Sequence, residues 1–143
     1  MKLVRLIYAS RLVAPMSKTD VQQILGTSRG YNSEQGITGY LCVSPTHALQ
    51  CLEGMRDSVN RLYNHIAVDR RHTEVTLLRY VEPWRRLFPV WDMGFTPDLS
   101  LAAPTSARWH DADGFNPYLV DGDLIENVIE VLCEQSEHVE LRA

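Results

Sequence analysis

The sequence has no block of like charge, no membrane-length apolar run and no paired-cysteine motif. Its 14 Lys and Arg stand against 18 Asp and Glu, a formal net charge of −4. Without a basic stripe, neither nucleic acid nor an anionic membrane is an expected partner. No apolar run approaches the ~20 residues of a membrane span. Met1 to Ser10 is too short for a signal-peptide core with its flanks, so a soluble, cytoplasmic chain is expected. The three cysteines, Cys42, Cys51 and Cys133, are odd in number and form no C-x-x-C pair. Cys42 and Cys51 sit inside apolar runs and read as small hydrophobes rather than redox or metal groups. The five histidines show no H-x-x-x-H spacing, so no zinc site is expected. Neither G-x-G-x-x-G nor G-x-x-x-x-G-K-[ST] occurs, which speaks against Rossmann and P-loop nucleotide sites. No Ser/His/Asp or Cys/His set has a recognisable context.

What is present is one domain's worth of patterned chain: 143 residues, 45% of them apolar. "KLVRLIYAS" reads as a strand over 2–10, with Val4, Leu6 and Tyr8 on one face and Leu3, Arg5 and Ile7 on the other. A helix follows, with Ser17 and Asp20 spaced as a capping box, Val21, Ile24 and Leu25 as its buried stripe, Ser28 one turn on, and Gly30 as its stop. Strands near 37–43 and 48–53 form a hairpin. A second helix carries Met55, Val59, Leu62 and Ile66 on one stripe. "TEVTLLRYVE" is a strand broken by Pro83, and "PVWDMGF" a last short one. The order β-α-β-β-α-β-β predicts an α+β, ferredoxin-like arrangement with an added strand and two helices on one sheet face. Residues 96–120 hold Pro97, Pro104 and Pro117 and read as irregular. "DLIENVIEVLCEQSEH" is a closing helix, with Asp123 and Glu126 as a capping box, expected to cover the second face.

One residue breaks the pattern. Gln50 lies between Leu49 and Cys51, sharing a face with Ala48 and Leu52, and that face also carries Tyr8. Two hydrogen-bonding side chains then sit between sheet and helices. A buried amide without partners costs about 1–3 kcal/mol. Either Tyr8 and Gln50 satisfy each other, or Gln50 touches a ligand. Other polar groups gather near by: Asn32 just past the first helix and Arg71 and His72 after the second, with Trp91 and Met93 alternating on the last strand. Aliphatic walls with a polar rim suit a flat, hydrogen-bonding heterocycle.

"LIYAS", "N-S-E-Q-GITG-Y-L", "L-Q-C-LEG", "DRRH" and "W-D-M" together resemble the BLUF family of flavin-using blue-light sensors, over about residues 2–95. The resemblance implies a mixed five-stranded sheet, a non-covalently bound FAD (FMN or riboflavin as alternatives), and no enzymatic activity. It implies a photosensor domain over 1–95 and a helical extension over 96–143 that packs on the sheet, in a short, stand-alone member. Tyr8 and Gln50 match the residues that bond each other and the flavin ring. Asn32 matches the holder of its pyrimidine edge, and Ser28, Asp69, Arg71 and His72 match positions lining the cofactor. Ile24 and Ile66 match the residues that sandwich the ring, and Trp91 and Met93 the pair that responds to light. The implied photocycle takes an electron and a proton from Tyr8 through Gln50, which is left rotated or tautomerised, and signals to a downstream protein. A homo-oligomer is expected. The alternatives are an acylphosphatase-like enzyme or small-ligand binder on the same scaffold, and a plain interaction module.

Overall fold

The computed structural model describes residues 2–88, 93–96 and 107–135. Trp91 and residues 97–106 of the proline-rich stretch, with Pro97 and Pro104, lie outside the described residues. Strand β1 spans Leu3–Leu12, helix α1 Lys18–Gln35, strands β2 and β3 Thr38–Val43 and His47–Met55, helix α2 Arg56–Ala67, and strand β4 His72–Val81. Strand β5, Gly94–Thr96, follows Met93. The five form one sheet in the order β4-β1-β3-β2-β5. The first four run antiparallel to their neighbours, and β5 pairs parallel with β2. This is the ferredoxin-like arrangement with a fifth strand on one edge. Among the described residues, no helix is long and apolar enough to cross a membrane, and no group of three or more His, Cys, Asp or Glu could hold a metal ion.

Helix α1 starts as its sequence dictates. Ser17 Oγ accepts the Asp20 backbone N–H, and Asp20 Oδ2 accepts that of Ser17. It does not stop at Gly30. A mid-helix glycine costs only about 1 kcal/mol relative to alanine, which packing can offset. The chain turns instead at Gly36, whose φ of 67° is the left-handed conformation that glycine adopts without strain. The N–H groups of Gly36 and Ile37 both return to the Asn32 carbonyl. Asn32 is therefore inside the last turn of α1, with its side chain fully buried, not beyond the helix end.

The alternation read from β1 and β3 sorts two apolar layers. Val4, Leu6, Tyr8, Ala48 and Leu52 lie under α1 and α2. Ile7, Ala9, Leu49 and Cys51, with Cys42 and Tyr40 of β2, form the opposite layer, capped by helix α3, Ile125–Gln135. Between Thr96 and α3, the described chain has a small hairpin of strands β6, His110–Asp111, and β7, Gly114–Phe115, flanked by short 3-10 turns. The expected Asp123–Glu126 capping box is not what starts α3. The helix begins at Ile125, and Glu126 is drawn inward by two arginines. Arg79 Nε donates to it at 3.1 Å and Arg5 Nη1 donates to its other oxygen.

Arg5 also donates through Nε to Glu53 Oε2, at 2.8 Å, and through Nη2 to the Arg85 carbonyl. Glu53, fully buried on β3, further accepts the backbone N–H groups of Leu87 and Phe88 at 2.8 and 2.9 Å. Arg86 reaches Thr38 Oγ1 and the Gly36 carbonyl. One buried carboxylate thus ties the sheet to the segment 85–88, and its arginine partner ties the sheet to α3. Burial alone disfavours the charged Arg5, but its hydrogen bonds to Glu53 and Glu126 outweigh that and hold its pKa above the ordinary value.

Candidate functional site

A cavity of about 920 Å³ lies between α1 and α2, with the sheet as its floor. Its size falls in the range of pockets that hold drug-sized ligands. The floor is Tyr8, Leu41, Ala48 and Gln50. Ile24 and Ser28 of α1 face Leu62 and Ile66 of α2, and Asp69, Arg71 and His72 close the end where α2 runs out. The helical spacings produce these walls: 24 and 28 are one turn apart on α1, and 62 and 66 one turn apart on α2.

Tyr8 and Gln50 are directly opposite in the β1–β3 ladder, which places both side chains on one face. The Tyr8 hydroxyl donates to Gln50 Oε1 at 2.5 Å, and Gln50 Nε2 donates to Met93 Sδ at 3.4 Å. Tyr8 and Gln50 are only 3% and 4% exposed, and what surface they keep faces the cavity. Burial above all, with Tyr63 and Asp69 adding to it, pushes the Tyr8 phenol far above its ordinary value. Tyr8 is a neutral donor over any ordinary pH.

Met93 is held from two further sides. Arg29 Nη2 donates to its carbonyl at 3.1 Å, and its methyl lies against Gly39 of β2. A Cβ at Gly39 would stand 2.2 Å from the Cys51 carbonyl oxygen and 3.4 Å from Met93 Cε. Only glycine lets β2 approach β3 while Met93 lies over it.

At the end of the cavity, Arg71 Nε and Nη2 grip Asp69 in a forked pair, Nη2 at 2.5 Å from Oδ2. The Arg71 hydrogen bonds, opposed by burial, lower the Asp69 pKa to about 2. His72 Nε2 faces the Ile66 carbonyl at 2.8 Å, so that nitrogen carries the proton. Its Nδ1 then accepts from the Ser10 hydroxyl at 2.7 Å. The ring meets Tyr8 edge-on, with centroids 6.3 Å apart.

The sequence-predicted residues Tyr8, Ile24, Ser28, Gln50, Ile66, Asp69, Arg71 and His72 thus share one cavity. Met93 adjoins it through Gln50. Asn32 is buried off the cavity wall, and Trp91 lies outside the described residues. Sequence reasoning did not place Arg61 and His65 at the site, nor Gln23 and Thr27. The spacings 23–27 and 61–65 repeat those of the wall residues one position away, which was the available signal.

A flat heterocycle fits what the floor lacks. Gln50 has an amide nitrogen whose one protein acceptor among the described residues is a thioether, a weak one. A ligand carbonyl or ring nitrogen would complete it, between two aliphatic walls.

The comparisons with known proteins agree with that fit. Residues 3–94 match the family model for BLUF, described as sensors of blue-light using FAD. Photoactivated adenylate cyclase subunit beta of Euglena gracilis is 38% identical over 87 residues, 61% of this chain; the chain covers 10% of that protein's length. The dark-state structure of BlrB, a BLUF protein, is similar with a TM-score of 0.66 at 34% identity, covering 72% of this chain and 80% of that one. The photo-activated state of BlsA is similar with a TM-score of 0.77 at 26% identity, covering 91% of this chain and 94% of that one.

Proposed function

Because the chain belongs to the BLUF family, blue-light sensors that use FAD, we propose that it is a photoreceptor whose switch is the Tyr8–Gln50 pair. The observation that carries this reading is the buried Gln50 amide, donated to by Tyr8 on one side and resting on Met93 Sδ on the other. Tyr8 and Gln50 hold the ring's edge, Ile24 and Ile66 flank it, and Ser28, Asp69, Arg71 and His72 line its surroundings. Asn32, buried in the last turn of α1, is the proposed holder of the ring's pyrimidine edge.

A bound flavin supplies absorption of blue light and, once excited, a strong pull on electrons. Tyr8 is the electron and proton source within reach. Its proton already lies on a short hydrogen bond to Gln50 Oε1, so the amide is the proton's path. The electron and proton then return to Tyr8, and the amide persists in a second arrangement, rotated or tautomerised. A half-turn brings Nε2 toward the Tyr8 oxygen, which accepts, and Oε1 toward Met93. A thioether sulfur has no proton to donate, so that contact no longer holds Met93. The two arrangements differ by a few hydrogen bonds of similar strength, which is what a reversible switch requires.

Release at Met93 reaches β5 directly, and Trp91, two residues earlier in the chain, belongs to the same proposed relay. The domain then divides as a photosensor over 1–95 and an output extension over 96–143, with α3 presenting the signal to a partner protein in a homo-oligomeric receptor. The cycle consumes nothing, so the chain acts as a sensor and not as an enzyme. Absorption spectroscopy tests the reading. Protein purified with FAD is expected to be yellow, with a flavin band that shifts red under blue light and returns in the dark. A protein that stays colourless after FAD is added, or a bound flavin that never shifts, overturns it.

A further inference from the structure

One buried histidine takes no part in the proposed light switch. His47 is the first residue of β3 and is completely buried. Alternation along β3 puts it with Leu49 and Cys51, on the face away from the cavity. Its Nδ1 faces the Thr46 hydroxyl at 2.8 Å. Its Nε2 is buried with no hydrogen-bond partner.

What covers His47 belongs to the chain between β5 and α3. Tyr118, in the 3-10 turn Pro117–Leu119, meets the His47 ring edge-on, with centroids 5.7 Å apart. The Tyr118 hydroxyl donates to the Glu74 carbonyl of β4 at 2.8 Å, and the Arg11 guanidinium of β1 lies 5.9 Å over its ring. Strands β1, β3 and β4 thus all meet this tyrosine. Asn116 ties it to the β6–β7 hairpin: Oδ1 accepts the Tyr118 N–H at 2.9 Å, and Nδ2 donates to Asp111 Oδ2 at 2.8 Å. Turn and hairpin are one piece, with Tyr118 as its pin.

A neutral His47 fits this seat. A cationic one would bury an N–H donor that has no acceptor. The Tyr118 ring, already shared with the Arg11 cation, is a weak substitute. Asp111, Asp113 and Glu74 favour the cation, but burial and the like charge of Arg11 prevail and hold the His47 pKa below its ordinary value. Tyr118 stays neutral, its phenol pushed up mainly by burial.

We propose that His47 is an acid-released latch: its protonation drives Tyr118 off the sheet and frees the segment 109–120, while α3 stays docked. Once the segment opens, water reaches the ring, which then takes its proton near the ordinary value of 6.5. Docking is therefore complete above that value and weakens as pH falls below it. Helix α3 has its own anchor, the Glu126 carboxylate held by Arg5 and Arg79, so release is confined to the segment before it. The latch needs no flavin and stands or falls separately from the flavin reading.

Amide hydrogen exchange of the full chain in the dark, at about pH 7.5 and about pH 5.5, tests this, each rate being divided by that of the unfolded chain at the same pH. If only the open form takes the proton, protection over 109–120 should fall up to about tenfold across that interval. Protection in β1 and α3 should hold. His47→Gln and His47→Phe do not titrate and should abolish the fall; the first keeps a hydrogen-bonding group beside Thr46 and the second keeps a ring against Tyr118, so either folded variant serves. His110→Gln changes an exposed histidine of the same hairpin and should keep the fall. Unchanged protection over 109–120 in the unaltered protein overturns the latch without any variant. So does a fall that persists in a His47 variant, a fall that vanishes in His110→Gln, or an equal loss in α3, which is general loosening by acid.

Discussion

Replacing Tyr8 and Gln50 singly and together separates a working hydrogen-bonded pair from two residues that merely adjoin. Tyr8→Phe keeps the ring but strips the donor from Gln50 Oε1, which is 2.5 Å away. Gln50→Leu keeps much of the volume but strips the acceptor from the Tyr8 hydroxyl. Each single change leaves one polar group bare at a site only 3–4% exposed, a cost of about 1–3 kcal/mol. Both groups line the cavity, and water entering it can repair part of that loss. The lower end, about 1 kcal/mol each, is therefore expected. The double variant leaves nothing bare. It should be less destabilised than the sum of the singles, by a coupling of about 1 kcal/mol. The assay is urea unfolding of flavin-free protein followed by far-ultraviolet circular dichroism. With a urea slope of about 1–3 kcal/mol per molar, each single change should lower the midpoint by about 0.5 M. The double should fall well short of twice that. Strictly additive losses would show that Tyr8 and Gln50 do not depend on one another and would refute the argument.

In flavin-loaded protein, the same single variants should stay yellow but show no red shift under blue light; a shift of normal size in either would move the switch elsewhere. Glu53→Gln breaks a fully buried carboxylate that holds Arg5 and the Leu87 and Phe88 amides. It should cost about 3–5 kcal/mol, with faster hydrogen exchange at Leu87 and Phe88; unchanged exchange there would count against the tie. Asp69 has its pKa depressed from 3.8 to about 2 by Arg71. Its contribution to stability is therefore complete above the ordinary value and lost as pH falls through about 2. Asp69→Asn should be less stable than the unaltered protein at neutral pH, with the gap closing between roughly pH 4 and pH 2; a constant gap down to pH 2 would contradict the ion pair. Light-dependent hydrogen exchange in α3 should vanish in Met93→Ala, and identical dark and light exchange in the unaltered protein would remove α3 from the output route.

The strand and helix order was legible in the sequence because each rule involved is local. Period-two alternation in β1 and β3 sorts side chains to opposite faces wherever those strands go. That alone put Tyr8 and Gln50 on one face and Ile7, Leu49 and Cys51 on the other, as the two apolar layers confirm. The Ser17 capping box closes within four residues, so it too is written locally. Where a choice depended on distant partners, local rules gave the wrong answer. Gly30 could have ended α1, but the helix runs on to Gln35 and turns at Gly36, carrying Asn32 inside. Asp123 and Glu126 had the spacing of a cap, but Arg5 and Arg79, 121 and 47 residues away, take the Glu126 carboxylate. The site shows the same division. Its residue types came from the chain, whereas the 2.5 Å Tyr8–Gln50 bond and the Gln50–Met93 contact exist because β1 and β3 pair in one register and β5 returns beside β2.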